Sequence, residues 1–306
     1  MKRTLLLAIL FFIVNFKAYS AADAIQYTPV NDTIKFTLSE HNNILVEATL
    51  NTTTLLKLMF HTAIGSVSLT PEMTAKLKTE NQKSSNSKSW TGAKEVNYIE
   101  NNSLTIANLS WDSLAVWLDM LSGPGSDGKF GPNLFGNKII EINNDEQIIV
   151  LHDPEKFNPD EDQIQKFKLT TDEHNSIFIS GEVEVNGQHI AHQFLLHSGY
   201  GGTVILDDSF CKENPVFSEL ETIEVKELKD SFGNIIKTKK VMVDNFKVGN
   251  TSFPKMPLSY FDSEIEIQNT SVMGGEILKR FNIYLDFEKF DIYLSRNKGT
   301  EAVFKS

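Results

Sequence analysis

Apolar and polar residues alternate along most of this chain with period two, in short runs bounded by Gly, Pro, Asn, Asp and Ser. That period marks half-buried strands. It is clear in Thr33-Ile34-Lys35-Phe36-Thr37-Leu38-Ser39 and in Leu104-Thr105-Ile106-Ala107. Strands are predicted over residues 33–39, 44–50, 55–60, 98–118, 138–142, 147–151, 177–185 and 190–196. Asn143-Asn144-Asp145-Glu146 reads as a hairpin connection, and Asn186-Gly187 is a strong two-residue hairpin signal. Helical signals are few. At Thr70-Pro71-Glu72-Met73 a capping Thr precedes Pro at the first helical position and an acid in the first turn. The pattern predicts an all-β protein with short helices.

Two runs organise the rest. One is Leu58-Met59-Phe60-His61-Thr62-Ala63-Ile64-Gly65-Ser66-Val67-Ser68-Leu69-Thr70. The other is Phe194-Leu195-Leu196-His197-Ser198-Gly199-Tyr200-Gly201-Gly202-Thr203-Val204-Ile205-Leu206. Each reads as a strand, a turn of His, a hydroxyl residue and a small residue, then a second strand. Further landmarks repeat in the same order. Residues 246–258 lie over 104–116 without a gap, matching Asn250 and Ser252 to Asn108 and Ser110 and placing Phe253 over Trp111 as core. Residues 274–286 lie over 131–143. The offset is 136 at the His turns, 142 in the middle block and 143 in the last, the small drift that changed loop lengths produce. The chain is therefore predicted to hold two copies of one lobe, at 21–153 and 168–306. The acidic, aperiodic stretch at 154–167 is read as the linker.

Residues 1–20 read as a secretory signal: Lys2 and Arg3, an apolar run, and Ala18-Tyr19-Ser20 before a cleavage point. The run is short for a bilayer span. A periplasmic or secreted location is expected, with no membrane insertion after the signal is removed. That removal takes Lys2, Arg3 and Lys17 and no acid, moving the net charge from −11 to −14. Such a charge argues against nucleic acid as a partner. Cys211 is the single cysteine. No intramolecular disulfide is possible, so stability must come from the core, and Cys211 reads as a half-buried small apolar residue near Phe210.

The duplicated strand–turn–strand with a later apolar-Gly loop and short helix resembles the bilobal aspartyl proteases of the pepsin and retropepsin type, closest to compact bacterial exported forms. Residues 195–203 resemble the Asp-Thr/Ser-Gly motif. Val272-Met273-Gly274-Gly275-Glu276-Ile277-Leu278-Lys279-Arg280-Phe281 resembles the second-lobe glycine loop and helix, with Phe130-Gly131-Pro132-Asn133-Leu134-Phe135 as the first-lobe counterpart. The resemblance implies a bilobal fold with a central cleft. It places His61 and His197 face to face at the dyad positions, with Thr62, Ser198 and Gly199 as dyad-supporting residues. Ala63 stands where the first lobe would carry Gly. The resemblance also puts Trp90, Thr91 and Gly92 at the first-lobe flap. Trp90, Gly92 and Tyr200 are the candidate ligand-binding residues.

Both catalytic acids of that family are replaced by His. Aspartic proteolysis needs two carboxylates sharing one proton, one acting as base and the other as acid. A half-protonated imidazole pair is cationic instead, a poor place to generate hydroxide. The sequence predicts a non-catalytic pseudoprotease, monomeric and without cofactor, that binds a peptide or small ligand between its lobes. Three alternatives stay open. One is a hydrolase with His-based chemistry using Thr62 or Ser198. Another is a pH-sensitive latch of two facing imidazoles. The third is a Zn or Cu site on His61 and His197, which lacks a third ligand. His41, His152, His174, His189 and His192 read as surface or strand-edge residues.

Overall fold

A computed structural model of the chain describes residues 33–77, 79–89, 91–159, 164–171, 176–262 and 270–304. The predicted signal at 1–20, Trp90 and His174 lie outside them. The predicted periodicity becomes three sheets. In the first lobe, eight strands run in the order Thr37–Leu38, Ile44–Leu50, Thr54–Phe60, Gly128–Phe130, Val67–Leu69, Leu109–Trp117, Gly92–Ile106 and Lys83–Ser89. A further pairing of Ile44–Leu50 with Gly92–Ile106 closes the sheet toward a barrel.

The second lobe repeats this order strand for strand: Thr170–Thr171, Ile177–Val185, Gln188–His197, Val272–Gly274, Val204–Leu206, Thr251–Phe261, Ile235–Val248 and Glu224–Lys229. The same closure recurs between Ile177–Val185 and Ile235–Val248. Even the two parallel pairings of each lobe recur at equivalent places. The protein is all-β and bilobal, with matching lobes.

A third sheet joins the lobes. Its order is Thr33–Lys35, Ile148–His152, Ile139–Asn143, Phe281–Asp286, Asp291–Arg296 and Ile164–Lys168. Read from either end, it passes an edge strand, then a hairpin, then the central contact Ile140↔Leu285 and Ile142↔Ile283. That is the symmetry a duplicated lobe requires. Two sequence expectations change here. The strand expected over 33–39 divides: Thr33–Lys35 enters the shared sheet, and Thr37–Leu38 enters the first lobe, with Phe36 buried between them. The linker expected at 154–167 ends early, because Ile164–Lys168 is an edge strand. Its Lys166 and Lys168 ammonium groups, 2.8 and 2.7 Å from the Asp291 carboxylate, give it the charged look of a solvated connection.

Local chemistry accounts for the turns. Asn186 and Gly187 take positive φ (50° and 75°), which the two-residue hairpin between Ile177–Val185 and Gln188–His197 needs. Thr70 accepts from the Met73 amide to cap the helix Pro71–Lys76, and Asp207 does the same for Phe210 at Asp208–Glu213. Trp111, 1% exposed, donates its indole N–H to the Leu134 carbonyl at 2.7 Å, so the largest core side chain is polar-satisfied.

Polar anchors cross between the lobes. Asn42 and Asn43 of the first lobe reach the carbonyls of Gly201, Ser198 and Gly199. Glu276 accepts from Asn42, Lys279 and the fully buried Arg280. Arg280 also donates to the Thr300 and Ala302 carbonyls and lies over the Phe304 ring. Glu276→Ala would leave that guanidinium without its carboxylate. Removing one partner of such a pair costs about 3–5 kcal/mol, so the urea midpoint is expected to fall sharply, against little change for the exposed pair variant Glu72→Ala.

Candidate functional site

The two His turns meet at the lobe boundary. Each is delivered by a strand, Thr54–Phe60 or Gln188–His197, whose preceding residues Phe60 and Leu196 are buried in the core. The His61 and His197 rings lie 4.5 Å apart between centroids, edge to face at 63°. The residue after each His completes a reciprocal clasp. Thr62 N–H donates to Ser198 Oγ at 3.0 Å, and Ser198 N–H donates to Thr62 Oγ1 at 3.1 Å. The hydroxyls then donate across the boundary, Thr62 to Leu196 O at 2.6 Å and Ser198 to Phe60 O at 2.8 Å. Each hydroxyl spends its proton on a backbone carbonyl and takes a backbone N–H in return. Neither is poised as a nucleophile.

The imidazoles are equally committed. Ala63 N–H donates to His61 Nδ1 at 3.1 Å, and Tyr200 N–H donates to His197 Nδ1 at 2.9 Å. An imidazole whose Nδ1 accepts in this way carries its proton on Nε2. Burial, then the charges of His197 and Lys129, holds His61 well below the ordinary His range. Burial brings His197 down to about 4, with Lys129 adding to the effect. Both rings are therefore neutral at pH 7, and neither has a lone pair left to act as base. Metal binding through Nε2 would move the proton to Nδ1, against a backbone N–H. Among the described residues, no group of three or more His, Cys, Asp or Glu is placed to hold a metal ion.

Gly199 is required by this packing: a Cβ there would come 2.4 Å from His61 Nε2 and Cδ2. Tyr200 lies inside the second lobe's wall. Its side chain covers Gly202 and Gly274, where a Cβ would come 2.2 Å from the hydroxyl oxygen and 2.5 Å from the ring. Burial raises its phenol to about 12, and the hydroxyl bonds Ser259. Gly92 takes φ 120° at the hairpin turn between Lys83–Ser89 and Gly92–Ile106. Of the other expected surface His, His192 stacks 3.9 Å from Phe210 and reaches both Asp207 and Ser271 through one nitrogen. Ser271 is 1% exposed, so this is a helix-capping cluster rather than a nucleophilic triad. Cys211 packs half-buried against the core, its thiol pushed up to about 12 by burial and then by Asp207 and Asp208.

A cavity of about 890 Å³ opens beside the dyad. Thr62 and Ala63 are in its wall, with Ser68, Lys88 and Lys129 from the first lobe and Ser231 and Phe287 from the second. The two lobes' hairpins meet at their tips. Thr91 Oγ1 donates to Asp230, Asn234 donates to Thr91 Oγ1 at 2.7 Å, and Ser231 N–H donates to Ser89 Oγ at 3.3 Å. Leu121 N–H also donates to Ser231 O, at 2.9 Å. No protein-family profile matches the chain, and no curated protein matches it in sequence.

Lys129 is the residue that the motifs did not single out. It is 3% exposed, and burial lowers its ammonium to about 8, against a small opposing effect of Asp230. It donates to the Leu121 carbonyl at 2.9 Å and to Ser231 Oγ at 2.6 Å. The available signal was a lone Lys between Gly128 and the apolar Phe130, where the second lobe reads Val272-Met273.

Two outcomes test the clasp and the dyad. Ser198→Ala strips Thr62 N–H of its acceptor and Phe60 O of its donor, and is expected to destabilise the fold by about 1–3 kcal/mol in denaturant melts. The double variant with Thr62→Ala is expected to be non-additive, since the two hydroxyls serve one network. The imidazole pair also sets a pH window. Its folded-state values lie below the unfolded value of about 6.5, so its contribution is complete above that pH. Between there and about 4, where His197 takes up its proton, the unfolded chain binds protons that the folded one refuses, and stability falls with pH. Urea midpoints at pH 7 and pH 5 are expected to differ, and the double variant His61→Gln/His197→Gln to reduce that difference.

Proposed function

We propose that this chain is an exported pseudoprotease of the pepsin and retropepsin type, which binds a peptide or small ligand between its lobes without cutting it. The single observation that carries the reading is the engagement of both Nδ1 atoms by backbone N–H groups. The residues at the dyad positions keep the family's clasp through Thr62 and Ser198 but have no lone pair for a water and no acid to protonate a leaving group. Loss of chemistry leaves the binding parts in place. The cavity has walls from both lobes, and the hairpins that would cover a ligand meet above it. The duplicated strand order and the two-fold form of the shared sheet support the same family reading, because a clasp of two like turns needs two like lobes. The leader at 1–20 supports export.

Purified protein is expected to leave unfolded casein intact from pH 3 to pH 8. Cleavage that disappears in His61→Ala would overturn the reading in favour of His-based hydrolysis. Near-stoichiometric Zn or Cu that His197→Ala removes would overturn it in favour of a metal site.

A further inference from the structure

The duplication allows each lobe to serve as the control for the other. Strand register fixes the equivalences. Met59↔Lys129 in the first lobe corresponds to Leu195↔Val272 in the second, and Ser68↔Lys129 corresponds to Ile205↔Val272. The parallel pairings agree, with Ser68↔Trp117 matching Ile205↔Ser259. Lys129 and Ser68 thus stand where the second lobe has Val272 and Ile205.

The second lobe fills this place with apolar side chains. Ile205, Ile236, Phe261 and Val272 form a cluster of their own, with Tyr200 and Leu228 packed against it. The first lobe instead buries an ammonium and a hydroxyl at the wall of an 890 Å³ cavity. The fold does not need them, since its own second copy does without. Burying a charge without a counter-charge is unfavourable by several kcal/mol, so the substitution weakens the free protein.

What surrounds the pair indicates what it receives. Ser68 Oγ is buried, in the cavity wall, and without a hydrogen-bond partner. Lys129 has no carboxylate in contact among the described residues, and its two acceptors are neutral oxygens. An ammonium has three donors. Asp230, whose charge acts on it, is engaged by Thr91, Asn234 and the Phe232 N–H. Lys88 lies in the same wall, and among the described residues that line it there is no Asp or Glu.

We propose that Lys129 and Ser68 form an anion-recognition point in the inter-lobe cavity, which takes a carboxylate of the bound peptide. The point deepens the peptide-binding reading above and rests on it. The carboxylate comes either from an Asp or Glu side chain or from a free C-terminus. Lys129 supplies the counter-charge and Ser68 a hydroxyl donor, both buried where a charge-assisted hydrogen bond is strong. Ser231 links the point to the second-lobe hairpin, so a carboxylate held there lies under the meeting place of the two hairpins.

The test is affinity selection by the full purified chain from a synthetic peptide library of fixed length, made with free and with amidated C-termini and read by mass spectrometry. Selected peptides are then titrated calorimetrically. Acidic or free-acid peptides are expected to be enriched, and their Gln, Asn or amide analogues to bind at least about tenfold more weakly, a difference of about 1.4 kcal/mol. The two kinds of analogue separate side chain from terminus. Lys129→Met is expected to erase that difference while still binding the neutral analogues, and to melt at a higher temperature than wild type. Ser68→Ala is expected to reduce the difference with no loss of stability, and it decides the matter if Lys129→Met fails to fold. Equal binding of acidic and neutral peptides, unchanged in the variants, overturns the anion point and leaves the cleft reading standing. No peptide selected by the wild-type chain overturns both.

Discussion

The structure depends on one contact, the reciprocal clasp in which Thr62 and Ser198 exchange backbone N–H and hydroxyl bonds across the lobe boundary. All four bonds are buried, where an unmet partner is expensive and a met one is firm. The clasp fixes how far apart the lobes stand at the floor of the cleft. That spacing brings the two imidazoles to 4.5 Å, and it demands glycine at position 199, because a side chain there would occupy the space His61 needs. The shared six-stranded sheet holds the lobes together elsewhere, through the register of Ile140 and Ile142 against Leu285 and Ile283. The clasp and the sheet join the lobes at separate places.

The His pair is explained by the same constraint. A backbone that turns back after residue 61 or 197 offers an N–H to whatever side chain stands there. An aspartate in that place would accept it with one oxygen and keep another for chemistry. An imidazole accepts it with its only lone pair. His at these positions therefore keeps the turn's hydrogen bond but leaves no free lone pair on the ring. The neutral rings also fit a buried boundary through desolvation, which holds both well below the ordinary range.

Much of this was legible in the sequence, for identifiable reasons. Period-two alternation is the direct trace of a strand with one buried face, so Ile44–Leu50, Thr54–Phe60, Ile139–Asn143, Ile148–His152 and Ile177–Val185 could be read with small errors at their ends. The polar Lys83–Ser89 and the short Gly128–Phe130 show no such alternation and were not predicted. The lobe equivalence was legible because the turns use residues with local rules, such as Asn186-Gly187 and Thr70-Pro71. What escaped has equally physical causes. Residues 164–167 look solvated because an edge strand must look so, and their pairing partner lies more than a hundred residues away. Tyr200 follows the His turn as a ligand residue might, but the bare surfaces of Gly202 and Gly274 draw its ring into the wall. Lys129 escaped because a single lysine in an apolar run carries no motif; its meaning comes from Ser68, which the register places opposite it.

The two departures from symmetry then have a common logic. At the dyad, residues that would be acidic in the family this chain resembles are neutral donors. One strand away, a position that is apolar in the second lobe is cationic in the first. Each change shifts the boundary toward positive potential and donor character, while the rest of the chain is acidic. Carboxylates at positions 61 and 197 would set negative charge near Lys129 and answer its own. With imidazoles there, its charge is answered among the described residues by two neutral oxygens and by the engaged Asp230. A buried ammonium left in that condition is stable only if the fold can bear it, and the cavity that it lines has room for an anion. On the proposed reading, the neutral rings at positions 61 and 197 and the ammonium of Lys129 act together, as a site that holds a negative group rather than one that activates water.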